Sequence, residues 1–284
     1  MTVIDVSENN GAVNWTLVST HCDGAIIRVG YRGWGSGSLM QDTRALENLR
    51  GAAQNGVPAG IYFVTQAITE AEAAEEAQYC ANVAELAGVN LSLPICYDDE
   101  LAGGANGKGR RDMLTRAERT NTAIAFCRAV QELGFTPMLY CSDDWYTHML
   151  GGDTVRQAGA LVWIASYPVG PGRPYVPPTV EWDAWQYSPY ERFPGIGTEC
   201  DASHFKQEDG ERMTSKEFER RMQEYRKALQ ENAAGPWSQV AREWAVETGL
   251  VQGGSDGAYM WQDFMTREQL VTVLHRFAQQ IGKA

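Results

Sequence analysis

The stretch LPICYDDE, residues 93–100, joins an apolar run directly to three consecutive acids. Its first half is typical of a buried β-strand, whereas Asp98, Asp99 and Glu100 are costly to bury without partners. Because side chains alternate between the two faces of a strand, Asp98 and Glu100 share one face. Asp99 points the other way, to a structural or solvent-facing position. A strand that ends in two carboxylates on one face predicts a functional site at that end.

The segments around this stretch alternate between strand-like and helix-like patterns. Seven runs are β-branched or aromatic and are bounded by Gly, Pro, Asp or Ser. They are residues 2–6, 24–30, 58–64, 91–97, 136–141, 160–166 and 183–188. Helices are predicted over about 43–55, 69–87 and 115–133, and the last two open with the capping boxes TEAE and TRAE. Alternation of this kind indicates a parallel sheet, and seven or eight strands over about 200 residues indicate a barrel whose second half is poor in helices.

The pattern changes near residue 206. KQEDGERM (206–213) is polar and predicts a linker, and 214–232 predicts a helix with a capping box from Thr214 to Glu217. The narrow apolar stripe of this helix packs either on its own protein or in a short coiled coil that pairs two chains. The stripe consists of Phe218, Met222, Tyr225 and Leu229.

The last segment, 235–284, predicts a helix, a loop and a second helix. Pro236 fits a first helical turn, Gly249 fits the end of a helix, and Thr266 with Gln269 forms a capping box. The residues expected to build its small core are Trp244, Leu250, Leu270, Leu274 and Phe277. A segment of about 50 residues buries little surface, so it needs a partner or the preceding helix.

Charge is unevenly distributed along the chain, whose net charge is −12. Residues 1–205 carry 13 basic and 24 acidic side chains, and residues 206–284 carry 11 and 12. This difference supports a domain over 1–205, a linker and helix over 206–234, and a small helical module over 235–284. The acidic balance argues against a nucleic-acid-binding protein, which needs a positive surface.

The remaining bulk features concern thiols and targeting. Six cysteines are widely spaced and no CxxC occurs, which indicates mostly buried free thiols. No apolar run approaches the roughly 20 residues that span a bilayer. The start, MTVIDVSENN, has neither a basic nor an apolar leader region, so no secretory signal is expected.

Four candidate acids lie at or near the ends of predicted strands, which a β/α barrel would bring together on one face. In a parallel β/α barrel the carboxyl ends of the strands form the face that holds the active site. Asp5 ends the first strand, Asp98 and Glu100 end the fourth, and Asp201 in CDASHF (200–205) lies near the last. Each acid alone is compatible with a capping or structural role, but together they predict a pocket with four carboxylates. Close carboxylates cannot all ionise freely, so one keeps a proton, as cleavage of a glycosidic bond requires.

Six motifs, taken together, resemble a known family. In order they are IDVSENNGAVNW (4–15), IIRVGYRGWG (26–35), ALENLRGAAQNGVPAGIYFVTQA (45–67), LPICYDDE, WIASYP (163–168) and WQYSPYERFPGIGTECDASHF (185–205). Over about residues 1–205 the chain is similar to glycoside hydrolase family 25, the Chalaropsis-type lysozymes or N-acetylmuramidases. The resemblance implies an α/β fold, an irregular TIM-like (β/α)5(β)3 barrel. It also implies cleavage of the β-1,4 bond between N-acetylmuramic acid and N-acetylglucosamine in peptidoglycan.

The resemblance further implies roles for single residues. Glu100 would be the general acid and base, Asp98 would assist the 2-acetamido group of the substrate, and Asp5 and Asp201 match the remaining acids. The residues expected to bind substrate are Tyr62, Trp185, Tyr140 and Arg28. Either the acetamido group attacks the anomeric carbon or water attacks it directly with inversion, and carboxylate spacing bears on this choice. No metal or cofactor is expected.

The tail has a fainter resemblance. WAVETGLVQG followed by MTREQLVTVLHRF is similar to a single S-layer homology repeat, and such repeats usually bind secondary cell-wall polymers in sets of three. Wall binding would then need several chains together, or residues 214–284 would serve association into a homo-oligomer. A two-part lysin without a signal peptide resembles a bacteriophage endolysin, made in the cytoplasm and acting on the wall after release.

Three other functions fit the sequence less well than a muramidase. A chitinase-like barrel shares the Asp-x-Glu, but its longer pattern has acids where this chain has Leu93 and Cys96. A non-catalytic carbohydrate-binding barrel would have lost acids that are all present here. A Ser/His/Asp hydrolase is not supported, because no nucleophile motif accompanies the four histidines, and their spacing with the cysteines predicts no metal site. His204 is expected to be structural.

Overall fold

The computed structural model describes residues 1–101, 109–206, 215–254 and 257–282, with the side chains of 215–221 and 224 outside that description. The chain divides into two compact units, Met1–Gln207 and Glu208–Ala284. The predicted linker falls, except for Lys206, outside the described residues, and so does the capping Thr214. None of the described helices is both long and apolar enough to span a bilayer.

Nine strands of the first unit form one sheet. They are β1 (Thr2–Val6), β2 (Gly24–Arg32), β3 (Leu39–Gln41), β4 (Ala59–Val64), β5 (Ile95–Asp98), β6 (Pro137–Ser142), β7 (Leu161–Ala165), β8 (Ala184–Glu191) and β9 (Cys200–Phe205). Their order is β1-β9-β8-β7-β6-β5-β4-β2-β3, and β1 also pairs with β2. Eight strands therefore close into a barrel, while β3 extends from β2 as an antiparallel arm. The predicted α/β barrel is confirmed.

Within the described residues, five α-helices follow the first strands of the barrel. They are α1 (Trp15–Val18), α2 (Ala45–Gln54), α3 (Glu70–Ala87), α4 (Arg116–Glu132) and α5 (Gly152–Gln157). The three long helices agree with the predicted ones to within two residues. At the start of α4, Thr115 and Glu118 form the full capping box. At the start of α3, Thr69 accepts from the Glu72 amide, but the Glu72 side chain turns to Ile68 and Arg110 instead.

The last third of the barrel has no helical cover. The connections 166–183 and 192–199, both fully described, contain no helix. Five β/α pairs followed by three strands give the (β/α)5(β)3 pattern that the sequence resemblance implied. Aromatic side chains occur at β8 instead: Trp185 lies in ring contact with Trp182, which precedes the strand, and with Tyr187.

Alternation along each strand sorts the core into two layers. In β5, Ile95 and Tyr97 face the helices, while Cys96 faces the barrel interior with Met138 and Trp163. Each such buried apolar side chain contributes about 1.5–3 kcal/mol to the free energy of unfolding. All six cysteines are unpaired and five of them are buried, as predicted. The interior apolar layer ends below the rim, where inward-facing positions become polar.

β9 was not predicted as a strand, and its direction differs from that of the others. It runs antiparallel to both β1 and β8, whereas the remaining barrel strands pair in parallel. Asp201 therefore reaches the rim at the start of its strand, not at the end. The register sets Asp5 directly opposite Asp201.

Asp99 takes the structural position, not the solvent-facing one. It faces the layer between sheet and helices and is fully buried. Its carboxylate binds Arg111 Nη2 at 2.6 Å and Arg119 Nη1 at 3.5 Å, and both arginines are buried as well. Arg111 also donates to the Tyr97 hydroxyl at 2.7 Å. The buried triad of Arg111, Asp99 and Arg119 thus fixes the backbone between Asp98 and Glu100.

The second unit is helical. Its helices are α6 (Ser215–Glu231), α7 (Gln239–Glu247) and α8 (Arg267–Gln280), with a short 3-10 turn over Pro236–Ser238. The Thr266 and Gln269 capping box forms as predicted. Arg226 of α6 holds Asp263 through three nitrogen–oxygen contacts of 2.9, 3.1 and 3.2 Å, and Tyr225 lies in ring contact with Phe264.

The predicted core of this unit is wrong in four of five positions. Leu250 is buried, but Trp244 is 50% exposed, Leu274 is 55% exposed, and Leu270 and Phe277 are exposed as well. Two short helices joined by a loop can shield each other on one side only, so most of the apolar stripe of each remains in water. In the α6 stripe, Met222 and Tyr225 are exposed, and the side chain of Phe218 lies outside the description.

Candidate active site

A pocket of about 200 Å³ opens at the carboxyl end of the parallel strands. Its lining is polar and aromatic and comes from seven strands and the segments that follow two of them. The lining residues are Asp5, Tyr62, Asp98, Glu100, Tyr140, Trp163, Tyr167, Gln186 and Asp201. The four acids singled out in the sequence therefore meet in one pocket, although they span nearly 200 residues of chain.

The strands themselves position the acids. Asp98 is the last residue of β5 and faces inward, as does Asp5 near the end of β1. Glu100 follows two residues after Asp98 and lies at the mouth of the pocket, where solvent reaches it. Asp98 and Asp5, by contrast, are 5% exposed each. The pocket thus has a buried acidic floor and one accessible acid at its entrance.

A chain of hydrogen bonds crosses the floor. The Tyr140 hydroxyl donates to Gln186 Oε1 at 2.8 Å, and Gln186 Nε2 donates to Asp5 Oδ2 at 3.0 Å. The Asp5 carboxyl in turn is hydrogen-bonded to Asp201. A hydrogen bond between two carboxyl groups requires a proton on one of them, so this arrangement favours a single proton held between Asp5 and Asp201.

Burial and crowding raise the pKa of all four acids. The pKa of Asp98 lies well above its usual range, first because burial removes water and second because Glu100 and Asp5 are close. Burial and the Asp201 charge likewise raise the pKa of Asp5. Burial raises the pKa of Asp201, and the hydrogen bond from Asp5 opposes that rise.

Glu100 combines access to water with a raised pKa. Surrounding protein removes part of its hydration even at the pocket mouth, which is the main reason that its pKa rises, and the charges of Asp201 and Asp99 add to the effect. A reachable carboxyl group with a raised pKa keeps its proton to a higher pH than an ordinary glutamate, and this suits a general acid.

One oxygen of Asp98 has no hydrogen-bond partner. Asp98 Oδ1 is buried and unpaired within the described part of the chain. Buried carboxylate oxygens without a donor are unfavourable by several kcal/mol in general, so such an atom marks a place for a ligand donor. A substrate N–H or O–H that enters the pocket would satisfy it.

Two further depressions adjoin the pocket. One, of about 510 Å³, shares Tyr62, Asp98, Glu100 and Asp201 with it and extends past Arg28. The other, of about 250 Å³, shares Tyr167 and lies between the β7–β8 connection and the end of β8. The rim therefore offers space on both sides of the acids, as a polymeric substrate requires.

The predicted substrate-binding residues divide into two groups. Tyr62 and Tyr140 line the pocket, and Arg28 lines the larger neighbouring depression, where it binds Asp42 at 2.8 Å. Trp185 lies elsewhere: it faces the outside of the barrel and donates its indole N–H to the Ser166 carbonyl at 2.7 Å.

The position of Trp185 follows from strand alternation. Gln186, its neighbour in β8, faces the pocket, so Trp185 must face away from it. His204 also faces outward, in edge contact with Trp182, which agrees with the structural role expected for it.

Three pocket residues were not singled out from the sequence: Trp163, Tyr167 and Gln186. Small residues at Ala184 and Ser188 flank Gln186 at period two, and that pattern could have marked it as inward-facing. Trp163 donates to the Ser203 hydroxyl across the barrel at 3.0 Å, a contact that no local pattern signals.

Comparison with known proteins identifies the family. The sequence profile of the glycosyl hydrolases family 25 matches residues 4–196, which include Asp5, Asp98 and Glu100. The chain belongs to this family and is therefore a glycoside hydrolase. Among curated proteins no sequence match was found. The resemblance of the tail to an S-layer homology repeat stays a prediction.

Solved structures share the barrel. The modular autolysin LytC from Streptococcus pneumoniae is 23% identical with a TM-score of 0.60, over 71% of this chain and 46% of LytC. The catalytic domain of endolysin ply40, from bacteriophage P40 of Listeria monocytogenes, is 23% identical with a TM-score of 0.59, over 74% and 94%. The lysozyme from Streptomyces coelicolor is 22% identical with a TM-score of 0.58, over 73% and 92%. At these identities the likeness establishes the fold, and the chain spans about half the length of LytC.

Proposed function

We propose that this chain is a peptidoglycan muramidase, which cleaves the β-1,4 bond between N-acetylmuramic acid and N-acetylglucosamine. The observation that carries the proposal is the unpaired, buried Asp98 Oδ1 in a pocket entered past Glu100, whose pKa is raised by burial and by neighbouring acids. Family membership supports it, as do structural neighbours described as an autolysin, an endolysin and a lysozyme.

Glu100 supplies the proton in the first step. Its carboxyl group donates to the glycosidic oxygen as the bond to the anomeric carbon breaks, and the leaving sugar departs as an alcohol. At the same time the carbonyl oxygen of the substrate's 2-acetamido group attacks the anomeric carbon, forming an oxazolinium ring. The ionised Glu100 then removes a proton from water, which opens that ring.

Asp98 orients the acetamido group. Its free oxygen accepts the amide N–H, which holds the carbonyl oxygen toward the anomeric carbon and stabilises the positive charge that develops on the ring. The shared proton of Asp5 and Asp201 limits the negative charge of the pocket, so that Asp98 can ionise when the substrate donor arrives.

Two stereochemical outcomes distinguish the possible routes. Participation of the acetamido group gives retention at the anomeric carbon, whereas direct attack by water gives inversion. Proton NMR of the freshly formed reducing end, recorded before mutarotation, separates the two. We favour retention because a buried carboxylate oxygen in need of a donor suits an amide N–H.

Mass spectrometry of digested peptidoglycan tests the bond specificity. Borohydride reduction of the products labels each new reducing end, and we expect the label on muramic acid alone. Label on glucosamine would show a glucosaminidase, release from chitin oligomers alone would show a chitinase-like enzyme, and wall binding without products would show a carbohydrate-binding barrel. Each of these results contradicts the proposal.

The exposed apolar side chains of the second unit support a role in association. Trp237 is 88% exposed and Val240 is 80% exposed, and several α8 side chains are exposed as well. Large apolar surface in water favours contact with another surface. We propose that residues 214–284 join copies of the chain and, in that form, bind a secondary polymer of the wall, so that the enzyme acts on the wall after release from the cell.

Deletion of residues 208–284 tests this role. We expect the truncated protein to hydrolyse soluble peptidoglycan fragments at nearly the rate of the full chain, because every described pocket residue is retained. Its mass in light scattering should fall to that of one barrel, and its co-sedimentation with whole cell walls should weaken. If the particle loses only the mass of the deleted residues, and the truncated protein binds walls as tightly as the full chain, the tail has neither role.

A further inference from the structure

The depression between the β7–β8 connection and the end of β8 is a formed site with its own walls. The Tyr190 hydroxyl accepts from the Gly170 amide at 3.3 Å, and the Tyr175 hydroxyl donates to Glu191 Oε1 at 3.0 Å. Tyr175 also packs edge to face on Tyr187, with ring centroids 4.8 Å apart. These contacts tie the connection to β8 and leave a space of about 250 Å³ that opens beside Tyr167 of the catalytic pocket.

Arg173 is the distinctive side chain of this depression. It is exposed, and no ion pair or hydrogen bond links its side chain to any described residue. Arg28, the other cation that lines the rim depressions, is bound to Asp42 at 2.8 Å and to Glu8 at 3.1 Å. The positive charge of Arg28 is therefore already matched, whereas that of Arg173 is available to a ligand.

The distribution of charge along the rim decides which part of a substrate fits here. The catalytic pocket holds four acids and repels an anionic group, and the paired Arg28 offers an anion little attraction in the depression on the other side. The depression beside Tyr167 is lined by one acid, Glu191, which accepts from the Tyr175 hydroxyl, and by the unpaired Arg173. An unpaired guanidinium is matched by a carboxylate, which it can bind with two parallel hydrogen bonds. Tyrosine and proline side chains line the depression and provide apolar contact for a short peptide. They are Pro168, Pro171, Tyr187, Pro189 and Tyr190.

We propose that this depression binds the carboxylate-bearing peptide stem of the substrate, with Arg173 as the partner of a stem carboxylate. The proposal rests on the proposed function, since peptidoglycan carries short acidic peptides on its muramic acid residues. It adds a second determinant of specificity. The acids select the sugar bond, and Arg173 selects glycan chains that still carry peptides.

Two matched substrates test the proposal. One is soluble glycan that carries its peptide stems, and the other is the same glycan after an amidase has removed them. We expect Arg173→Ala to lower kcat/KM on the peptide-bearing glycan about tenfold, mainly through KM, and Arg173→Glu to lower it further. On the stripped glycan both variants should match wild type, and 0.5 M salt should reduce the wild-type preference for peptides.

Arg128→Ala is the control, because Arg128 is an exposed arginine on α4 that lines none of the three depressions. An equal loss of kcat/KM on both glycans would mean that Arg173 binds the sugar or its lactyl carboxylate. No loss on either glycan would mean that Arg173 does not contribute to substrate binding. Both results overturn the proposal. A wild-type enzyme inactive on both glycans would instead contradict the proposed function.

Discussion

Glu100→Gln should lower kcat for hydrolysis of purified cell walls by roughly 10²–10⁴-fold. The amide has the size of the carboxyl group but can neither give a proton to the glycosidic oxygen nor take one from water. Release of reducing ends from purified walls measures the effect. Glu85→Gln makes the same chemical change on the exposed face of α3 and should keep wild-type activity.

Thermal unfolding separates this chemical loss from a loss of fold. The pKa of Glu100 is raised in the folded protein, so its ionised form opposes folding at pH values above that pKa. Glu100→Gln should therefore melt at the wild-type temperature or above it near pH 7. The gain should vanish below the ordinary carboxyl pKa, where the group is protonated in both the folded and the unfolded state. Wild-type lysis by a well-folded variant would refute the assigned role.

Asp99→Ala should lower the free energy of unfolding by about 3–5 kcal/mol. Arg111 and Arg119 are 1% exposed each and would lose the carboxylate that both of them bind. Uncompensated buried cations are far less favourable than a paired set. Urea denaturation followed by circular dichroism measures the loss.

Glu47→Ala is the matched control for Asp99. It breaks the Arg44–Glu47 pair at 2.8 Å, in which Glu47 is 61% exposed, and should change stability by at most about 0.5 kcal/mol. If Asp99→Ala costs no more than this control, then the triad does not stabilise the barrel, and the backbone between Asp98 and Glu100 must be fixed by other contacts.

Alternation of side chains explains much of what the sequence predicted. Period two in LPICYDDE placed Asp98 and Glu100 on the pocket side and Asp99 on the other. The same rule, applied to β8, assigns Gln186 to the pocket and Trp185 to the outside. The family motif favoured Trp185 instead, since a motif records which residues occur and not which way they face.

Features that depend on contacts between residues far apart in the sequence could not be predicted from local sequence patterns. CDASHF contains one acid and no β-branched residue, so it lacks a strand signal, and only its pairing with β1 and β8 makes it β9. Asp99 was indeterminate for the same reason: its two arginine partners lie 12 and 20 residues further along the chain. Helical periodicity identifies the apolar face of a helix but does not show whether another element packs on that face. The exposed apolar surface of the second unit could therefore not be predicted from the sequence.

The pairing of Asp5 with Asp201 has a consequence for biosynthesis. One acid belongs to the first barrel strand and the other to the last, so their shared proton exists only after β9 has closed the ring. A polypeptide whose synthesis has not yet reached Asp201, or a fragment that ends before it, carries Glu100 and Asp98 but lacks the partner of Asp5. The proposed hydrolytic centre is therefore complete only when the whole ring, β9 included, has been translated and closed.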